Sequence, residues 1–216
     1  MTAGLELDCI TLGVGGRPPL FRCFTLLVPL AEIVTLIGPS GCGKSSLLSF
    51  LTGTIDPAFR ASGRVRIDGV DVTGLPPERR RIGILFQDDL LFPHMTVGQN
   101  LAYALPPYIA GRQHRRERIA AALAEAQLSG FEDRGPATLS GGQRARVAVL
   151  RALLAEPRVL LLDEPFARLD QGLREHFRAF VFDHARVRAL PVLMVSHDPA
   201  DAQAADGPII TLSAPT

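Results

Sequence analysis

The chain has 216 residues, 47% hydrophobic and 21% charged, with a formal net charge of +1, enough to bury roughly 70% of its unfolded surface. That describes one folded domain, or one core with an inserted subdomain, and excludes a disordered chain. The charge excludes a global field drawing the chain onto nucleic acid or an anionic membrane, and no apolar run approaches the roughly 18 residues of a membrane span.

Met1–Leu7 lacks the basic and apolar regions of a signal peptide, so the chain is expected in the cytoplasm. Cys9, Cys23 and Cys42 are an odd count without metal-ligand spacing, so neither a disulfide framework nor a zinc site is expected. Of the 23 basic residues only Lys44 is a lysine.

In chain order, the runs Leu5–Ile10, Phe24–Val28 and Arg64–Ile67 alternate with turns rich in glycine and proline, predicting an antiparallel β layer. Ile33–Ile37 is a β-branched apolar run, predicted as a buried parallel strand. Directly after it, Gly38-Pro39-Ser40-Gly41-Cys42-Gly43-Lys44-Ser45 fits G-x-x-x-x-G-K-[ST], and Ser46–Leu51 has helical spacing. In this setting glycines turn successive N–H groups inward as an anion nest, and the helix N-terminus adds about half a positive charge. Lys44 is a point charge for β- and γ-phosphates, Ser45 a ligand for Mg²⁺, and Ser46 belongs to the same nucleotide-binding set. The pattern means nucleotide binding without saying which nucleotide or what hydrolysis drives.

Between Gln87 and Ser140 the pattern turns helical, and a helical subdomain is predicted at about 88–157, inserted in the core. Arg112, Arg115, Arg116 and Arg118, interspersed with Glu117 and followed by Glu125, read as a solvated helix face. Leu139-Ser140-Gly141-Gly142-Gln143 opens a helix with apolar Val147, Leu150, Leu153 and Leu154, a second anion-binding N-terminus. One nucleotide does not need two such sites. A head-to-tail dimer uses both, each ATP lying between the phosphate loop of one subunit and Ser140–Gln143 of the other; the alternative is a plain Ser N-cap with a glycine turn.

Val159–Glu164 reads as a buried strand ending in two carboxylates, where an open α/β sheet places its ligand. Asp163 is expected to hold Mg²⁺ through water and Glu164 to orient or deprotonate the attacking water; the alternative is an acidic helix N-cap. Gln171–Val187 and Val192–Ser196 are predicted to complete a three-layer core, and the chain ends soon after Asp206, leaving no expected regulatory domain.

With these residues the chain resembles the ATP-binding subunits of ABC transporters along nearly its whole length. Gly38–Ser45 is similar to the Walker A motif, Leu139–Gln143 to the signature motif and Val159–Glu164 to the Walker B strand with its catalytic glutamate. The resemblance implies a P-loop NTPase core of α/β class with an antiparallel β layer and an inserted helical subdomain. It makes Gln87 the Q-loop glutamine sensing Mg²⁺ and the attacking water, Ala167-Arg168-Leu169-Asp170 the D-loop, and His197 a switch histidine on the γ-phosphate; read alone, a histidine after a strand is structural. Leu91–Val97 and Arg79–Gly83 resemble bacterial importers that work with a periplasmic binding protein. Gly98-Gln99-Asn100 and Phe166–Asp170 bring the chain near small importer ATPases of the YnjD type.

Three positions depart from the family pattern. Val14 stands where an aromatic residue stacks on adenine, with Phe21 and Phe24 as alternative platforms. Ala167 replaces the D-loop serine, and Ala31 the glycine before Glu32. The implied function is ATP hydrolysis that powers import through a separate permease, whose cytoplasmic helix enters a groove lined by Gln87–Val97. Mg²⁺ is the cofactor, and the place is the cytoplasmic face of the inner membrane. The alternatives are a non-transport ABC ATPase acting on DNA or as a soluble switch, and a weakly hydrolysing regulatory subunit; no nucleic-acid partner is expected.

Overall fold

The structure is a computed structural model that describes residues 4–167, 169 and 171–213. It divides into two compact units: residues up to Ile84 with Arg158–Glu164 and the chain from Phe182 onward, and Leu85–Pro157 with Pro165–Val181. The second unit contains the whole stretch 88–157 and also 165–181.

The first unit is built on two sheets. One has the order β2-β1-β4-β5, from β1 (Gly4–Val14), β2 (Phe21–Pro29), β4 (Phe59–Ile67) and β5 (Val70–Asp71). Leu5, Leu7, Ile10 and Leu12 of β1 are fully buried, and the step from Leu7 to Ile10 breaks the period of two. The pairing shows why: Leu7 opposes Leu26 and Ile10 opposes Phe24, with a register shift between them. An extra residue there keeps the apolar side chains on one face. Cys9 lies in that shift at φ 52, and Cys23 on the neighbouring strand at φ 50.

These two cysteines are joined by a disulfide. This corrects the expectation that the cysteines do not pair. Spacing along the chain carries no information on a bulged register, and it is the register that sets Cys9 beside Cys23.

The other sheet has the order β6-β7-β8-β3-β9, with β3 (Ile33–Ile37), β6 (Ile82–Leu85), β7 (Val159–Asp163), β8 (Val192–Val195) and β9 (Ile209–Thr211). β7 and β8 are apolar throughout their buried length because parallel strands are covered on both faces. Parallel pairing sets Leu36 beside Val195 and Asp163 beside Val195. The C-terminal ends of β3, β7 and β8 therefore share one edge, the place where such sheets bind ligands.

Helix α1 (Lys44–Thr52) buries Leu47, Leu48 and Leu51 in one core with Val34, Leu36, Val159, Leu161 and Leu193. α2 (Pro77–Arg80) and α7 (Pro199–Ala205) complete this unit together with the end of α6 (Gln171–Val187).

The second unit packs α3 (Val97–Ala104), α4 (Arg112–Glu125) and α5 (Gly141–Leu154) on one another. Their apolar stripes, Val97 and Leu101, Ile119 and Leu123, Val147 and Leu150, are buried. Along α4, Arg112, Arg116 and Arg118 are exposed, as expected of a solvated face. Among the described residues no helix is long and apolar enough to cross a membrane.

Candidate active site

The phosphate-loop residues follow β3 directly. At Gly38 a Cβ would lie 2.9 Å from both the Cys42 sulfur and the Leu212 carbonyl oxygen, so only glycine lets the loop close onto the end of β9. Gly43 is the N-cap of α1 at φ 98, and a Cβ there would lie 2.9 Å from the Phe21 ring and 3.0 Å from Leu20. Left-handed backbone and close packing both require glycine at Gly43. Pro39, Ser40 and Gly41 are exposed at the loop crest, whereas Cys42 is buried.

Lys44 is only 8% exposed. Its ammonium donates to the carbonyl oxygens of Gly38 at 2.7 Å and Pro39 at 3.0 Å and lies 3.7 Å from the Cys42 sulfur. The charge is thus fixed inside the turn of the loop, at the N-terminus of α1, where anions are favoured. Ser45 hydrogen-bonds Asp163 at the end of β7. Burial and then the charge of Glu164 push the Asp163 carboxyl above the usual carboxylate range, against the hydrogen bond from Ser45 and the charge of Lys44. A half-buried carboxylate in that state calls for a cation beside it.

Glu164 leaves the strand at φ 49, with its N–H donating to the Val195 carbonyl oxygen at 3.0 Å. A left-handed glutamate is strained. This geometry sets its carboxylate 3.1 Å from Nδ1 of His197, whose side chain is 63% exposed. The loop carrying His197 is braced on both sides: the Ser196 hydroxyl donates to buried Asp201 at 2.9 Å and accepts the Asp198 N–H at 3.1 Å. Asp198 in turn caps α7. Lys44, Ser45, Asp163, Glu164 and His197 thus belong to one unit and meet at one sheet edge.

The other predicted residues belong to the second unit. Gln87 is exposed just after β6. Ser140 caps α5 in a capping box, accepting the Gln143 N–H at 3.3 Å while the Gln143 side chain accepts the Ser140 N–H at 2.9 Å. The plain N-cap alternative is therefore realised as local structure. Ser140 and Gly141 are exposed while Gly142 is buried. Asp170 and Arg168 lie outside the described residues. Phe21 is 5% exposed and sits 5.3 Å from Phe24, so both rings of the alternative platform pack on each other beside Gly43.

Two residues that hold local structure, one in each unit, escape a sequence reading. Buried Arg80 binds the carbonyl oxygens of Phe50 and Leu51 at the end of α1. Asn100, fully buried, accepts the Phe92 N–H and donates to the carbonyl oxygens of Phe92, Met95 and Thr96. The signal near Asn100 was the pattern Thr96-x-x-Gln99, a capping box that places the start of α3; nothing in the run Arg79-Arg80-Arg81 says which arginine is buried.

The family model described as ABC transporter matches residues 22–167. The chain is 51% identical over 183 residues to YnjD of Escherichia coli strain K12, an uncharacterized ABC transporter ATP-binding protein, covering 83% of this chain and 84% of that one. It is 42% identical over 201 residues to the thiamine import ATP-binding protein ThiQ of Chelativorans sp. strain BNC1, covering 93% and 80%. To the Fe(3+) ions import ATP-binding protein FbpC of Mannheimia succiniciproducens it is 40% identical over 198 residues, 92% of this chain and 56% of that one. Among solved structures, the dimeric ATP-binding cassette MJ0796 in a post-hydrolysis state with ADP and Pi superposes with a TM-score of 0.80 at 30% identity, covering 96% and 94%.

Proposed function

The chain belongs to the family of ABC transporter ATP-binding proteins, and we propose that its site is completed by Mg²⁺, by a second copy of the chain and by a permease. It is the ATP-hydrolysing subunit of an ABC importer. The observation that carries this reading is the meeting of Lys44, the bonded pair Ser45 and Asp163, and the pair Glu164 and His197 at one sheet edge.

Lys44 neutralises the β- and γ-phosphates, and the loop Gly38–Ser46 surrounds them with N–H donors. Ser45 and Asp163 hold Mg²⁺, whose chemistry is to spread the charge developing on the phosphate oxygens. The donor set fits: a hydroxyl bonded to a carboxylate is hard oxygen chemistry, and Mg²⁺ takes few protein ligands and completes its shell with phosphate and water. Glu164 orients the attacking water and accepts its proton, while His197 fixes the glutamate and reaches the γ-phosphate. Gln87 reports Mg²⁺ and water to the loop behind it. Ser140–Gln143 and Asp170 serve the nucleotide of the partner subunit in a head-to-tail dimer.

The dimer acts at the cytoplasmic face of the inner membrane on a permease fed by a periplasmic binding protein; the direction of transport is supported by the thiamine and iron relatives, whose names describe import ATP-binding proteins. The test is Glu164→Gln. We expect ATP binding to persist, steady-state phosphate release to fall by at least about a hundredfold, and ATP to trap a closed dimer. Unchanged turnover would overturn the assignment of Glu164.

A further inference from the structure

Helix α5 begins at the signature residues and runs beside the loop that follows Gln87. Two of its arginines grip that loop. Arg144 Nε lies 2.9 Å from the carboxylate of Asp89, and its Nη1 donates to the carbonyl oxygen of Leu139 at 2.8 Å. One guanidinium therefore holds both the first residue of the signature segment and the residue two places after Gln87. Its Nη2 lies 3.9 Å from where a Cβ on Gly141 would stand, so the same group covers the exposed start of α5. Seven residues on, Arg151 donates to the carbonyl oxygens of Leu90 at 2.9 Å and Asp89 at 3.3 Å. The backbone of the loop is thus anchored independently of the Asp89 carboxylate.

We propose that Arg144 and Asp89 are positioning residues that join the Gln87 loop to the signature segment of the same chain and so couple the two nucleotide sites of the dimer. The inference rests on the reading above, in which Gln87 answers to the subunit's own nucleotide and Ser140–Gln143 to the partner's. Between those two motifs the guanidinium of Arg144 is a direct physical link. When the Gln87 loop is drawn to Mg²⁺ and water, the Asp89 carboxylate carries Arg144 with it, and Arg144 carries the Leu139 carbonyl and the start of α5. Coupling of this kind is a free energy shared between sites, and it is reciprocal.

Both side chains are about a third exposed, 37% for Arg144 and 31% for Asp89. A pair so exposed contributes little to global stability, and Arg151 retains the loop when it is cut. Its loss therefore appears in communication between sites rather than in folding.

The experiment uses the full chain in the Glu164→Gln background and reads two quantities. A fluorescent ATP analogue at low protein concentration measures nucleotide binding to the monomer, and sedimentation across an ATP titration measures dimer formation. Asp89→Asn is expected to leave monomer binding and the melting temperature unchanged and to raise the ATP concentration at half-dimerisation about two- to fivefold, the range of one exposed ion pair. Asp89→Glu keeps the charge and most of the effect, and the reversal Asp89→Arg with Arg144→Asp recovers part of it, which a general loss of packing cannot do. Should Asp89→Asn fold poorly, Arg144→Gln cuts the same bond from the other end. Dimerisation midpoints equal to the parent's in both variants overturn the inference and leave the nucleotide site standing. A parent that binds ATP yet never dimerises overturns the dimer reading, and this inference with it.

Discussion

Asp163 shows how the site is poised at the level of single residues. Its carboxyl is raised by burial first and by Glu164 second, so the folded chain holds that proton more tightly than the unfolded chain does. The sign follows from linkage: this group's contribution to stability is fully present below the unfolded carboxylate pKa and is lost as pH rises through the folded value. At neutral pH without divalent cation the ionised Asp163 therefore destabilises the fold. Asp163→Asn is expected to raise the melting temperature of the metal-free protein at pH 7, with the gain shrinking as pH falls toward the carboxylate range. Added Mg²⁺ with ATP reverses the order, since only the wild type gains a partner for the charge. Thermal melts from pH 4 to 8, with and without Mg²⁺ and ATP, check this; a gain independent of pH would assign the effect to packing instead. Glu164 carries the other local cost. Its φ of 49 is sustained by the N–H bond to Val195, and the result is a carboxylate turned toward His197 instead of continuing along the strand.

Among the elements, α1 depends on a residue from outside itself. It has no basic residue in its last turn, and Arg80 supplies the missing cation, donating to Phe50 and Leu51 at 2.8 Å each and to the carbonyl oxygens of Leu75 and Thr73 at 2.8 and 2.6 Å. A single side chain thereby reaches two of the last carbonyls of the helix that begins with Lys44, the Phe50 oxygen also accepting the Gly53 N–H at 3.1 Å. Arg80→Met preserves bulk but takes the guanidinium from the carbonyl oxygens of Leu51, Thr73 and Leu75, which costs about 3 kcal/mol and should lower the melting temperature by about 6–12 °C. A differential scanning melt within 2 °C of the wild type would show that water replaces the guanidinium without loss. The contrast between α1 and Arg80 also marks what a sequence discloses. The strand β3, the loop Gly38–Ser45 and the helix α1 were legible because periodicity and a fixed spacing are local properties of the chain. Val159–Asp163 was legible because a strand buried on both faces must be apolar throughout. Arg80, Asn100 and the pairing of Cys9 with Cys23 were not, since each depends on which backbone atoms a distant segment brings near, or on a bulge that shifts register by one residue.

For the molecule as a whole, the anion-binding features outnumber what one nucleotide needs: the loop Gly38–Ser45 lies in the first unit and the capped N-terminus at Ser140 in the second. In a head-to-tail dimer each site takes its phosphate loop from one chain and its signature from the other, and this arrangement makes a prediction that no single variant can imitate. Lys44→Ala removes the phosphate charge in one version of the chain. Gly141→Asp spoils the signature in another, where a Cβ would meet nothing closer than Arg144 at 3.9 Å and a carboxylate at a helix N-terminus is favourable to folding, yet its charge repels phosphate. Each variant alone forms only sites with one spoiled half and should not hydrolyse ATP. Mixed in equal amounts and allowed to exchange, half of the dimers pair one of each, and each mixed dimer combines the sound phosphate loop of one chain with the sound signature of the other. Hydrolysis should therefore reappear at up to about a quarter of the wild-type rate per chain, the share of sites that symmetry leaves intact. If sites were instead built within one chain, every site in the mixture would remain spoiled and mixing would restore nothing.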